Sequence, residues 1–261
     1  MPELPEVEAA MQLLRRRAKG RTITKVQLLH PSLKRRVRPA ALRALVGARI
    51  VRVERRGKHQ LLHLDDGRIV HVHFRMNGDW EHGKSDAPLP RFARAVIDFD
   101  GGTRLALVDS RALGTLDVHP AGMELALGLG PDAADRGWTA EALGRALATR
   151  RGPVKPALLD QKLVAGLGNI YAAESLWRAR ISPTQRADSL SDKQVRALRS
   201  AIGAVITRAT GSRYTDDDTV NLDVYDREGL PCRRCGTSIE RITQAGRSTY
   251  FCPHCQVTRE P

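Results

Sequence analysis

Aromatic residues make up only 4% of this 261-residue chain. So few rings argue against a stacking platform for single-stranded nucleic acid, which needs several of them exposed. No apolar stretch approaches the roughly 18 residues of a membrane span. The start carries Glu3, Glu6 and Glu8 and lacks the basic-then-apolar order of a secretion signal. The chain is therefore expected in the cytoplasm, nucleoid-associated, with no membrane partner. Cysteine is scarce too: four residues, all in the last 30. In a reducing compartment such a group fits a metal site better than disulfides. Carboxylates are outnumbered, 29 Asp plus Glu against 43 Lys plus Arg, which leaves a net charge of +14. That excess attracts polyanions, and nucleic acid is the leading candidate. A merely soluble, arginine-rich protein is the plainer alternative.

Residues 4–19 have helical spacing, with Val7, Ala10, Met11, Leu14 and Ala18 on one face, Pro5 in the first turn and Gly20 as a stop. Residues 22–119 read as short strands: 50–56, 61–64, 69–74, 95–99 and 105–108. Asp66-Gly67 and Asp100-Gly101-Gly102 serve as turns. Strands at this spacing predict a β-sandwich. Gly128-Leu129-Gly130-Pro131 reads as a linker. Helical patterns then cover 139–148, 156–163, 170–179 and 192–209, before a β-like, cysteine-bearing tail. The fold class is α+β, with boundaries expected at 1–130, 131–222 and 223–261.

Three motifs could carry chemistry. Cys232-x2-Cys235 and Cys252-x2-Cys255, sixteen residues apart, match a four-thiolate zinc site. With four sulfur ligands the metal has no open position, so one structural Zn2+ is expected. Arg233, Arg234, Arg241 and Arg247 make this tail basic, as a phosphate-gripping element would be. The second motif, Leu158 to Ala172, is a helix, a Gly166-Leu167-Gly168 turn and another helix opening at Asn169. Read alone it is either an ordinary helical hairpin with an Asn cap or a phosphate site at a helix N-terminus. The third is Met1-Pro2-Glu3. A small second residue lets Met1 be removed, which would leave Pro2 as a secondary amine beside the Glu3 carboxylate. An α-amino group, with a reference pKa of about 8, is partly unprotonated near neutrality and can attack a sugar C1′. By itself the motif reads first as an ordinary chain start, which the rest of the chain has to overturn.

Taken together, MPELPEVE, LLDQKLVAGLGNIYAAESLWRARISP and the paired CxxC motifs resemble the formamidopyrimidine-DNA glycosylase/endonuclease VIII family along essentially the whole chain. The resemblance implies a base-excision repair enzyme, a bifunctional DNA glycosylase and AP lyase working as a monomer on damaged double-stranded DNA in a bacterial cell. It implies a catalytic β-sandwich domain with an N-terminal helix, a helical helix–two-turn–helix domain and a zinc-finger β-hairpin. Pro2 matches the nucleophile and Glu3 the acid that protonates the sugar ring oxygen. Glu6 matches a further acidic position, and its place at a helix start explains it as well. Lys58 matches a hairpin lysine near the damaged nucleotide's phosphates. His73, Asn169 and Arg247 match phosphate contacts, and Lys155 a basic position facing the lesion. Met76, Arg111 and Leu113 match residues that fill the void left by the flipped base. Read without the family, Met76 on a strand could be core, and His73 could be packed or titrating beside His71. A base inside a duplex is out of reach, so flipping is required, and wedges offset the unstacking.

The chain departs from the family in two places. Asp109-Ser110-Arg111-Ala112-Leu113-Gly114 stands where the family has Asp-Pro-Arg-Arg-Phe-Gly, so an aromatic wedge is replaced by leucine, and Arg75 replaces a glycine. The segment from Gly211 to Pro231 is short and carries Asp216-Asp217-Asp218. These departures leave the lesion open among oxidised purines, oxidised pyrimidines, hydantoins and abasic sites. They also sustain a competing expectation, a non-catalytic paralogue that only binds damaged DNA.

Overall fold

The computed structural model describes residues 2–210 and 222–257. By its contacts the chain forms two units. One holds Met1–Pro2 and Glu6–Ala126, the other Glu3–Pro5 and Leu127–Pro261.

Helix α1 (Leu4–Arg17) belongs to the first unit from Glu6 onward and buries the face its periodicity marked, with Val7, Met11 and Leu14, and Ala18 just after it, wholly inside. Gly20, at φ +83°, turns the chain into β1 (Ile23–Leu28). The single interval of strands expected next is interrupted by α2 (Pro31–Lys34) and α3 (Pro39–Ala44). Each opens with a proline at its first position, where the missing N–H is not needed. Then come β2 (Ile50–Arg56), β3 (His59–Leu64), β4 (Ile69–His73), β5 (Asp79–Lys84), β6 (Ala93–Phe99), β7 (Thr103–Val108) and β8 (Thr115–His119). They make two antiparallel sheets of four, ordered β1-β6-β7-β5 and β2-β3-β4-β8. Alternate residues such as Val53, Leu62, Val70 and Val72 from one sheet share a core with Trp80, Ile97, Leu105 and Leu107 from the other. This is the β-sandwich. Strand β5 had little sequence signal, because Trp80 is its one buried residue.

The second unit is helical: α4 (Ala140–Ala148), α5 (Val154–Leu159), α6 (Asn169–Ala179) and α7 (Asp192–Ala209). Thr139 caps α4 by accepting from the Ala142 N–H, and Ser191 with Gln194 forms a capping box on α7. Helix α5 is shifted from the expected 156–163. It stops at Leu159 because Asp160 takes an extended ψ and accepts from the Lys162 N–H, a local turn that competes with the helix. The expected linker is packed rather than free. The Gly130 N–H donates to Gln161 O, and a Cβ on Gly130 would lie 2.4 Å from Lys162 O. After residue 222 the chain forms a hairpin, β9 (Glu240–Gln244) and β10 (Arg247–Phe251), packed with Trp177 and Val224 in a small core. Among the described residues no helix is long and apolar enough to cross a membrane.

Candidate active site

The glycines of the Gly166-Leu167-Gly168 turn make room for the chain's own start. A Cβ on Gly168 would lie 2.4 Å from the Glu3 carboxyl, and one on Gly166, at φ +101°, would lie 2.4 Å from Leu4 Cδ1. Glu3 is 1% exposed. Its two carboxylate oxygens accept from the backbone N–H groups of Ile170 (2.9 Å) and Tyr171 (3.3 Å) in the first turn of α6. The helix N-terminus read as a phosphate site is thus occupied by a carboxylate of this chain, for the same reason: free donors and a positive dipole end. The Leu4 N–H donates to Gly166 O, which completes the clasp. Gln161, not singled out in the sequence, holds the turn from behind. It accepts from the Gly166 N–H and donates to Leu167 O. Pro2, covalently next to Glu3, is half-buried, as is Glu6 in the first turn of α1.

Asn169 is the first residue of α6, and its side chain does not cap the helix. Its Oδ1 accepts from Lys155 Nζ (2.6 Å), and its Nδ2 donates to Ser248 O (2.8 Å). Lys155 is wholly buried. Its ammonium donates also to Ser248 O (2.9 Å) and Thr249 Oγ1 (2.7 Å), so all three hydrogens are committed. These bonds tie Lys155 to Asn169 and to β10. Burial pushes it down to about 8; the Glu3 carboxylate opposes that shift and Arg247 adds to it. Arg247 itself is exposed beside the hairpin turn, whose Ala245 and Gly246 have positive φ.

The sulfur atoms of Cys232, Cys235, Cys252 and Cys255 lie within 4.8 Å of one another. Tetrahedral zinc with Zn–S of about 2.3 Å needs sulfurs roughly 3.8 Å apart, so this donor set fits one structural Zn2+. N–H groups of Arg234, Cys255 and the Trp177 indole point at the sulfurs, each at 3.4 Å. Such donors orient the thiolates. Hydrogen bonds from Thr237 hold Cys235 down to about 5, while burial pushes Cys252 up to about 12, so the four thiols differ before any metal is bound.

In the first unit, Lys58 follows Gly57 (φ +56°) in the β2–β3 turn and is buried. The next residue, His59, lies opposite His73 across β3 and β4. His73 Nδ1 accepts from the Arg75 N–H at 3.0 Å, which leaves Nε2–H as its donor. Burial first, then the His59 imidazole and the charges of Arg75 and Lys58, push His73 down to about 3; burial, His71 and Arg75 push His59 down to about 4. So lowered, His73 is neutral near pH 7 and keeps its Nε2–H as a donor. His59 Nδ1 and His71 Nε2 are 2.8 Å apart on the same face.

Met76 is not on a strand but in the turn after β4, half-buried. Arg75 beside it has φ +56°, a left-handed conformation that favours glycine. The loop from Asp109 to Gly114 packs against this turn, since a Cβ on Gly114 would lie 3.5 Å from His73 O. Asp109, 1% exposed, folds the loop by accepting from the Arg111 and Gly114 N–H groups. Ala112 is left-handed (φ +53°), and the loop presents Arg111 and Leu113 to solvent, Leu113 with 48% of its surface exposed. The Asp216-Asp217-Asp218 run lies outside the described residues.

Comparison with known proteins agrees with this division. Residues 1–116 match the formamidopyrimidine-DNA glycosylase N-terminal domain, 129–218 its H2TH domain, and 229–257 the zinc finger found in FPG and IleRS. A formamidopyrimidine-DNA glycosylase of Paracoccus denitrificans is 39% identical over 280 residues, covering 98% of this chain and all of that one. The Lactococcus lactis enzyme in complex with FAPY-dG-containing DNA superposes with a TM-score of 0.91 at 30% identity, and covers 98% of this chain and all of that one. The same enzyme bound non-covalently to AP-site DNA superposes at 0.90, with the same identity and coverage.

Proposed function

The chain belongs to the formamidopyrimidine-DNA glycosylase family, and from that premise we propose how its own residues carry out base excision and strand cleavage on damaged double-stranded DNA. The observation that carries the proposal is the clasp of Glu3 by the first turn of α6, which fixes the residue after Pro2 to a rigid helix. With Met1 removed, the Pro2 nitrogen attacks C1′ of the flipped nucleotide. The bond to the base breaks, and the base leaves with a proton. The nitrogen–C1′ linkage becomes an iminium. Glu3 exchanges a proton with the sugar ring oxygen and assists opening. The iminium acidifies C2′–H; loss of that proton expels the 3′ phosphate, and loss of the C4′ proton then expels the 5′ phosphate. No redox cofactor enters, and zinc holds the hairpin rather than the substrate.

Lys58, His73, Asn169 and Arg247 are assigned to the phosphates around the lesion. Met76, Arg111 and Leu113 are assigned to the space the base vacates. The net charge of +14 and the bacterial origin of the relatives support a place on the bacterial nucleoid.

Borohydride tests the proposal, because it reduces an iminium to a stable adduct. The processed protein is expected to be captured on a duplex containing an abasic site. A protein with one extra residue ahead of Pro2 is expected to lose that capture. A processed protein that binds the duplex yet yields no adduct would reduce the molecule to a damage-binding module.

A further inference from the structure

Few aromatic side chains exist in this chain, and the described ones are buried or half-buried except Phe92, 42% exposed. Phe92 is held out rather than left out. It has φ +64°, a left-handed conformation that phenylalanine seldom adopts. It stands just before β6, at the end of the stiff Pro88-Leu89-Pro90-Arg91 run, with the turn fixed by the Ala93 N–H donating to Pro90 O. Two guanidinium groups flank the ring, Arg91 at 4.6 Å and Arg94 at 5.7 Å from its centroid. Both guanidinium groups lie over the ring, which restrains it and makes its surroundings electropositive.

The same residues bolt this ring to the Asp109–Gly114 loop. The Asp109 N–H donates to Phe92 O at 3.1 Å. Arg94 donates through Nε to Asp109 O (2.6 Å) and through Nη2 to Ser110 O (3.2 Å). Phe92 therefore shares one rigid base with Arg111 and Leu113, the exposed pair on that loop.

We propose that Phe92 is a specificity-determining residue that stacks on a base of the strand opposite the lesion, supplying the aromatic face that Leu113 lacks. A leucine can fill space between bases but offers no π-face. An arginine-flanked phenylalanine offers one, with charge beside it for the phosphates of that strand. The inference rests on the reading of the chain as a glycosylase acting on duplex DNA.

The test compares Phe92→Leu and Phe92→Trp in the full-length zinc-loaded protein. The probe is a duplex with a tetrahydrofuran abasic analogue opposite each of the four bases, and a second with 2-aminopurine opposite it. Stacking of this kind corresponds to on the order of tenfold in affinity. Phe92→Leu is expected to bind about tenfold more weakly and to flatten the ranking of the opposite bases. Phe92→Trp is expected to keep both and to quench 2-aminopurine more deeply than wild type. Equal affinity and ranking for wild type and Phe92→Leu, with 2-aminopurine indifferent to Phe92→Trp, overturns the inference. Failure of the glycosylase reading is told apart, because the wild-type protein itself would then give no borohydride adduct.

Discussion

The Glu3 clasp and the Asp109–Gly114 loop are built on opposite plans. At the clasp everything is closed: a carboxylate 1% exposed, two glycines with no room for a methyl group, and Gln161 bracing the turn. At the loop the backbone is held by buried Asp109, by Arg94 and by Ser32, while the side chains of Arg111 and Leu113 are exposed. Chemistry at a single carbon tolerates little displacement of its groups, and that demand is met with packing. Under the proposed function, selection among bases falls to the exposed side chains of the loop, which can change without disturbing a core.

The comparison is broken most severely by crowding the clasp. Gly168→Ala puts a Cβ where the Glu3 carboxyl lies, and the rate of borohydride capture under single-turnover conditions is expected to fall by about 100-fold. Glu3→Gln should cost a similar factor without crowding, which separates lost chemistry from lost space. Next in size is the loss of zinc. Cys235→Ser removes a ligand, and with it the order of β10 that supplies Ser248 O and Thr249 Oγ1 to Lys155. Zinc below one per chain and about tenfold weaker binding to abasic duplex are expected, by metal analysis and titration.

A smaller effect appears with pH. His59 and His73 titrate at about 4 and about 3 in the folded protein and at about 6.5 when unfolded, so the unfolded chain binds more protons between these values. The stability they contribute is complete above pH 6.5 and is lost as pH falls towards 4. A Tm measured over that range should drop with acidity, and His59→Gln should shallow the slope. The smallest change is expected at the loop. Leu113→Phe should leave Tm within about 2 °C, as surface substitutions do, and alter the ranking of opposite bases only a few-fold.

Much of this was legible beforehand because it rests on local rules. The buried face of α1, the capped start of α7 and the paired CxxC motifs follow from periodicity, capping residues and ligand spacing. Pro2 and Glu3 were legible only through a motif, since nothing local distinguishes them from any chain start. What escaped depends on partners distant in sequence. Nothing near Asn169 tells that Glu3 fills the helix N-terminus 167 residues away, or that Lys155 is buried against β10. Glu174 also carried no signal. It lies on a helix among mostly apolar, buried neighbours, is itself 1% exposed, and accepts from three backbone N–H groups, those of Asp223, Val224 and Tyr225.

That last arrangement has a consequence for how such a protein can diversify. Arg208, in the last turn of α7, donates to Asp223 at 3.1 Å and to Glu174 at 3.5 Å. The chain leaving α7 and the chain returning at Asp223 are therefore tied to one another, whatever residues 211–221 contain. Doubling the length of a loop between fixed ends costs only about 0.6 kcal/mol in closure entropy. The two stems are riveted at one charged joint, Arg208 with Glu174 and Asp223, which gives both the same fixed anchorage.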